Sequence, residues 1–370
     1  MEIIFFTSII IIFYIFIGYP VMIFLLARFF PKIISRNIPD RLPSVSIIIA
    51  AYNEEKIIKE KLQNTCTLDY PKDLLEIMVV SDGSTDRTDH IVQEFQPQGV
   101  QLIRVEGRKG KTECQNQAVK RATGEIIIFS DANSIYDPMS VRYIVENFSD
   151  PTVGVVCGEL RYQEEGKTNE GVYWKMERKL KEYESTFLSC LGANGAMYAL
   201  RRSEYVPLPA DTMSDFIEPF MVYRNGYRSI YDERAFCVEE KINYHDEFKR
   251  KQRVVLRALQ SLYIIGEFLN PFRYGWYSIM LWSHKLLRWF GFLFFIILFM
   301  SSFYFIETFL GKVIIVLQVI FYLGALFGKK SNYPLLRLMN GFLQVYISAF
   351  FAVMYWVLDR KILIWENHRK

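Results

Sequence analysis

Apolar residues run almost unbroken from Ile3 to Phe30, and again through long parts of Trp289 to Leu358. Between Arg36 and Arg257 the pattern changes to short β-branched runs separated by charged, helix-like stretches. The first run is long enough to cross a bilayer. Glu2 stands at its start and no basic region precedes it, which argues for a retained anchor over a cleaved signal peptide. From Pro43 the alternation is regular. "VSIIIA" (Val45 to Ala50) reads as a strand, followed by a helix from about Glu54. "IMVVS" (Ile77 to Ser81) reads as a second strand, with Ser84 or Thr85 capping the next helix. Val100 to Val105 is a third strand, Lys111 to Ala122 a helix, and "EIIIF" a fourth strand running into "SDANS". Strands that do not alternate, separated by helices, predict a parallel sheet covered on both faces.

The second half is less regular. Gly171 to Leu188 is expected to be helical, as is Asp215 to Asn225, with a strand at "YRSIYDE". Ser261 to Tyr277 is too broken to span a bilayer. It fits a helix lying in the interface with Trp and Tyr at headgroup depth, and "SHKLLRW" puts His284, Lys285 and Arg288 at the membrane edge. Trp289 to Phe309, Val313 to Phe327 and Leu338 to Leu358 are expected to span, the middle one being short for ~30 Å of hydrocarbon. Three full spans leave the tail outside; a re-entrant middle segment returns it to the side of the soluble domain. The expected division is 1–36 transmembrane, 43–257 soluble α/β domain, 258–288 interface helices, 289–358 transmembrane and 359–370 a basic tail.

Composition agrees with a membrane protein: of 370 residues, 51% are hydrophobic and 16% aromatic. Arg28, Lys32 and Arg36 follow the first span and place the soluble domain in the cytoplasm of a multi-pass protein of the cell membrane. The net charge of +4, without a basic stripe interleaved with aromatics, gives no case for nucleic acid. Cys66, Cys114, Cys157, Cys190 and Cys237 are widely spread and read as reduced thiols, not a zinc site or a disulfide framework. Nothing in the sequence identifies a protein partner.

Candidate chemistry gathers where the parallel strands end, which is where such sheets bind ligands. "AAYNEE", "SDGSTD", "GRKGKTECQN" and "SDANS" each read as loop chemistry alone; all four in register point to a nucleotide diphosphate. Lys109, Gly110 and Lys111 at a helix start would hold negative oxygens by charge and backbone N–H groups. Asp82 could accept from a base or ribose, and Asp131 could ligate Mg²⁺ or Mn²⁺.

With these motifs the chain resembles a family 2 glycosyltransferase of the GT-A fold. The resemblance is to the membrane-integrated kind that includes hyaluronan, chitin and poly-N-acetylglucosamine synthases. It implies a Rossmann-like, mostly parallel cytosolic sheet flanked by transmembrane helices. It further implies that Ala50, Tyr52 and Glu54 hold the nucleobase, and that Asp82, Gly110, Lys111 and Asp131 belong to the rest of the nucleotide-binding site. The family's metal-binding DxD motif falls on Asp131, Ala132 and Asn133, with an amide in place of the second carboxylate. "GANGAMYALRR" resembles the acceptor-side loop, where Gly195 and Ala196 let backbone approach the sugar. "MSDFIEPF" stands where the family carries its catalytic acid pair, reduced here to Asp215. That residue is expected as the general base, with a helix cap as its structural alternative and Glu218 as the alternative acid. The Gln-x-x-Arg-Trp of processive members is replaced by "RKQRVVLRALQSL". Gln252, Arg253 and Arg257 supply its amide and cations for diphosphate or lipid headgroups, and no tryptophan is present.

The function expected is an inverting, metal-dependent hexosyltransferase that moves a sugar from a UDP-linked donor to a lipid-linked or glycan acceptor in polysaccharide synthesis. A processive synthase and a non-catalytic nucleotide-sugar sensor are the rivals. A Rossmann oxidoreductase is disfavoured because no GxGxxG follows the first strand.

Overall fold

The computed structural model describes residues 1–37, 41–163, 172–240, 244–328, 331 and 333–360. Most of the expected basic tail, 361–370, lies outside the described residues. The chain opens with α1 (Glu2–Phe29). The soluble domain follows as β1 (Val45–Ala51), α2 (Ile58–Cys66), β2 (Leu75–Ser81), α3 (Thr88–Glu94), β3 (Val100–Arg104), α4 (Lys111–Val119) and β4 (Ile126–Asp131). It continues through β5 (Ile135–Tyr136), α5 (Ser140–Asn147), β6 (Val153–Gln163), α6 (Val172–Phe187), β7 (Met197–Arg201), α7 (Ser214–Arg224), β8 (Arg228–Glu240) and α8 (Tyr244–Gln260). After short helical turns come α9 (Trp276–Trp289), α10 (Gly291–Phe305), α11 (Phe309–Phe327) and α12 (Pro334–Val357).

All eight strands form one sheet in the order β3-β2-β1-β4-β7-β6-β8-β5. The first four are parallel; β7 is antiparallel to both β4 and β6. Successive residues of the central strands face opposite layers, and both layers are dry. Ile47, Ile49, Ile77, Val79 and Ile128 pack with Leu62 of α2 and Ile144 of α5. Ile48, Met78, Val80, Ile127 and Phe129 pack with Cys114 and Ala118 of α4. That is why these strands show no polar alternation. Four of the five cysteines are buried and all are free.

A third apolar cluster ties the domain to the membrane elements. Tyr19, Ile23 and Ala27 of α1 pack with Leu180 and Phe187 of α6, and with Phe216, Ile217 and Phe220 of α7. Phe268, Tyr277, Met280 and Leu281 complete it. Beside it, Tyr19 donates to Glu184 Oε1 (2.5 Å), which also meets His284 Nδ1 (2.5 Å). His284 Nε2 lies 3.2 Å from Glu177 Oε2, and Arg288 pairs with Glu177.

Several sequence expectations change here. His284 is buried and Arg288 half-buried against α6, where His284 meets Glu177 and Glu184 and Arg288 pairs with Glu177. Ser261 to Tyr277 is not one interface helix: it breaks at Asn270 and Gly275, and Tyr277 is fully buried, stacked on Tyr223 at 3.9 Å. The helix after β2 has Arg87 at its N-cap and no side-chain cap; Asp86 accepts from the Thr88 N–H (2.9 Å), while Ser84 and Thr85 bond the Asn53 loop. The helix after β1 starts at Ile58, not Glu54, and α4 stops at Val119, short of Ala122.

Among the described residues three helices are long and apolar enough to cross a membrane, α1, α11 and α12, and a fourth if the bent pair α9–α10 counts as one span. The segment expected to be short, α11, has 19 residues. The stretch after Trp289 is the irregular one: α10 is bent 59° from α9.

Candidate active site

Register aligns the ends of the strands. Ala50 pairs with Asp131, Ala51 with Ser81, and Ser81 with Arg104, so the four polar clusters open on one edge of the sheet. The first two are laced together: Asn53 Oδ1 accepts from the Thr85 N–H (2.8 Å), and Thr88 Oγ1 accepts from the Glu54 N–H (2.8 Å). Tyr52 lies under the Arg108 guanidinium at 3.7 Å. Ala50 is buried within β1, under the loop that carries Tyr52 and Glu54.

Asp82 is fully buried and accepts from the backbone N–H groups of Lys109 (2.7 Å) and Gly110 (3.1 Å). These two donors, expected to face a diphosphate, instead hold the loop that leads into α4. Gly110 bends that loop at φ +92°, a conformation other residues rarely adopt. It delivers Lys111 into the cleft.

Lys111 is the hub. Its ammonium binds Asp131 Oδ1 and the Gly195 carbonyl (3.1 Å). Burial works against its charge, but Asp131 and Asp215 outweigh it and hold its pKa above the ordinary lysine value. A Cβ on Gly195 would come within 2.7 Å of Asp215 Oδ2, so a larger residue here would have to displace that carboxylate or the loop. Ala196, next in the chain, is buried behind it and accepts from the Tyr136 hydroxyl (3.2 Å).

Asp215 enters from the first turn of α7. No side chain caps that helix, so the helix-cap alternative fails. The Asp215 carbonyl accepts from the Ala193 N–H (2.7 Å), which ties the Gly195 loop to α7. Burial pushes the Asp215 carboxyl up, Lys111 pulls it back, Asp131 pushes it up again, and Arg257 and Lys181 pull it down. Its net position is above the ordinary carboxylate range. Glu218, one turn on, is buried, which raises its carboxyl well above the usual range. Thr212, just before α7, is held through its carbonyl by Thr112 Oγ1 (2.8 Å) and by the Arg257 guanidinium.

Arg257 of α8 thus reaches the site; Gln252 and Arg253 lie on the preceding turn of that helix, half-buried. Sequence reasoning missed Lys61, Arg108, Lys181 and Glu239. Arg108 stood inside a quoted cluster; the others come from elements whose approach only the tertiary fold fixes.

Among the described residues no three His, Cys, Asp or Glu side chains surround a point where a metal could sit. The donor set expected from the sequence is one carboxylate, Asp131, and the Asn133 amide. The same pocket already holds a cation, the Lys111 ammonium, between Asp131 and a carbonyl oxygen. Such a set suits a hard divalent ion that brings phosphate oxygens with it, because that ion needs only one or two protein carboxylates.

Residues 46–224 match the family described as Glycosyl transferase family 2. The probable glycosyltransferase YdaM of Bacillus subtilis is 37% identical over 145 residues, covering 36% of this chain and 34% of its own. The poly-beta-1,6-N-acetyl-D-glucosamine synthase of Staphylococcus aureus is 26% identical over 208 residues, 54% of this chain and 50% of its own. The matches thus span about a third to a half of these relatives' length. A mannosyltransferase of Pyrobaculum calidifontis, solved with GDP-Man and Mn²⁺, superposes with a TM-score of 0.76 at 22% identity, over 97% of this chain and all of its own. That likeness is one of fold.

Proposed function

We propose, from the match of residues 46–224 to the Glycosyl transferase family 2 model, that the chain is a membrane-bound, inverting hexosyltransferase. It takes a sugar from a nucleotide sugar, expected to be UDP-linked, and transfers it to a lipid-linked or glycan acceptor at the membrane surface. The observation that carries this reading is the convergence of Asp131 and Asp215 on one lysine at the carboxyl ends of the parallel strands.

Asp215 takes the proton from an acceptor hydroxyl while that oxygen attacks C1 of the donor sugar. The bond from C1 to the diphosphate breaks, the nucleoside diphosphate leaves, and the configuration at C1 inverts. A raised carboxyl pKa suits a base that works near neutral pH. Lys111 and Arg257 offset the charge that grows on the leaving diphosphate. Asp131 and Asn133 would hold a divalent cation, Mg²⁺ or Mn²⁺, whose contribution is to neutralise that same charge. Tyr52, Arg108 and Glu54 line the side where the nucleobase would lie. Gly195 leaves room for the sugar beside the base.

The test is release of nucleoside diphosphate by the detergent-solubilised protein. The panel is UDP-, GDP- and dTDP-sugars with Mg²⁺ or Mn²⁺ and membrane lipid extract. GDP-sugars belong in it because the Pyrobaculum structure holds GDP-Man. Turnover with one donor, reduced ~10²–10⁴-fold in Asp215→Asn with donor binding retained, is expected. Donor binding without turnover under every condition would favour a sensor. A processive synthase is the second reading, favoured by the Staphylococcus relative's name; product length distinguishes it from single transfer.

A further inference from the structure

Lys61 belongs to none of the motifs above, yet it is completely buried in α2. Its ammonium donates to the Ser134 carbonyl (2.5 Å) and lies 3.7 Å over the Tyr136 ring. One turn later in α2, Asn64 accepts from the Tyr136 N–H and donates to the Tyr136 carbonyl, both at 2.8 Å. From the other side Glu239 of β8 accepts from the Ser134 hydroxyl (2.5 Å). The three residues after Asn133 are therefore gripped between α2 and β8.

A lysine in such a slot needs a reason. Burial penalises its charge and brings its pKa down to about 7, against the pull of Cys237, Asp131 and Glu239. A methionine would fill the same volume without that penalty. What the lysine adds is a donor at the end of a long stem, aimed at a carbonyl that β-sheet pairing leaves open.

We propose that Lys61 is a positioning residue for the cation-binding turn: by holding the Ser134 carbonyl it fixes where Asp131 and Asn133 present their oxygens. The proposal rests on the reading of Asp131 as the cation's ligand. Supporting groups behind metal ligands commonly govern affinity by ~10–100-fold.

The test uses the full chain in detergent. Mn²⁺ is titrated by the electron paramagnetic resonance signal of the free ion, with UDP and, in parallel, GDP present. Metal-free nucleotide binding and the melting temperature are measured alongside. Lys61→Met is expected to weaken Mn²⁺ binding ~10-fold or more while metal-free nucleotide binding stays within about twofold. Unchanged Mn²⁺ affinity in the folded variant, or an equal loss of both affinities, overturns the proposal. If Lys61→Met does not fold, Lys61→Gln keeps an N–H donor without the charge. Its amide sits on a shorter stem than the ammonium, so a selective loss of Mn²⁺ affinity is again expected, and unchanged Mn²⁺ affinity or an equal loss of both affinities overturns the proposal. Asp131→Asn separates the two ideas. If it leaves Mn²⁺ binding intact, the metal reading falls; if it alone abolishes binding, only the Lys61 role falls.

Discussion

Asp215 sits in a field of opposing charges, and its pH behaviour follows from them. A base acts when ionised, so turnover should fall as pH drops through its raised pKa, earlier than for a free aspartate. Arg257 lowers that pKa. Arg257→Gln should therefore move the acid limb of kcat/KM to higher pH, as well as reducing kcat ~10²-fold through lost charge stabilisation. An unmoved limb would remove Arg257 from contact with the base. Gly195→Ala pushes a methyl to within 2.7 Å of Asp215 Oδ2. It should cut turnover at least as far as Arg257→Gln while leaving nucleotide binding in place, checked by calorimetry; full activity would mean the loop can retreat. Asp131, Lys111 and Asp215 were legible in the sequence because strand ends and a helix start fix them locally. Lys181 and Glu239 were not, since they arrive from α6 and β8 across the irregular half of the chain.

At the scale of elements, the central strands were readable from unbroken β-branched runs, which two dry faces require. The segment between α8 and α10 was not readable in the same way. Its aromatics and charges resemble an interface helix, and only packing reveals that Tyr277, His284 and Arg288 turn inward. That packing makes a prediction. Burial opposes ionisation of Glu177, yet Arg288 and His284 hold its carboxyl well below the usual range. Its stabilising contribution is present at neutral pH and is lost as pH falls through that depressed value. Glu177→Gln removes the carboxylate that pairs with Arg288 and should cost ~3–5 kcal/mol, read as a lower melting temperature in detergent. Glu182→Gln, which removes the exposed pair with Lys179, should change stability by less than ~1 kcal/mol. Equal effects would show that the α6–α9 contact is solvated in the membrane-bound protein.

At the scale of the molecule, two sets of contacts bear on topology. α9 and α10 run back along α1, with Tyr14 against Ser283 (2.8 Å), Phe16 near Phe295 (6.2 Å) and Phe5 near Phe305 (4.7 Å). The end of α10 therefore lies level with the start of α1, across from the domain. Yet the Arg360 carbonyl accepts from Gln260 of α8 (3.1 Å), and Phe351 meets Phe248 (6.5 Å). α11 and α12 must then make one crossing between them, and the C-terminus should lie on the domain's side, not across the membrane as three full spans would place it. Paired epitope tags, one after Lys370 and one in an exposed domain loop, should be accessible from the same face of sealed vesicles. Opposite faces would refute the arrangement. The apolar cluster shared by α1, α6, α7 and α9 carries a practical consequence for anyone preparing the protein. Cutting at Pro43 and Arg257 to obtain a soluble fragment would strip the cover from Phe187, Phe216 and Phe220, directly beneath the helix that carries Asp215. Such a fragment should precipitate, or survive with that helix adrift, so biochemistry on this protein has to begin with its apolar helices in place.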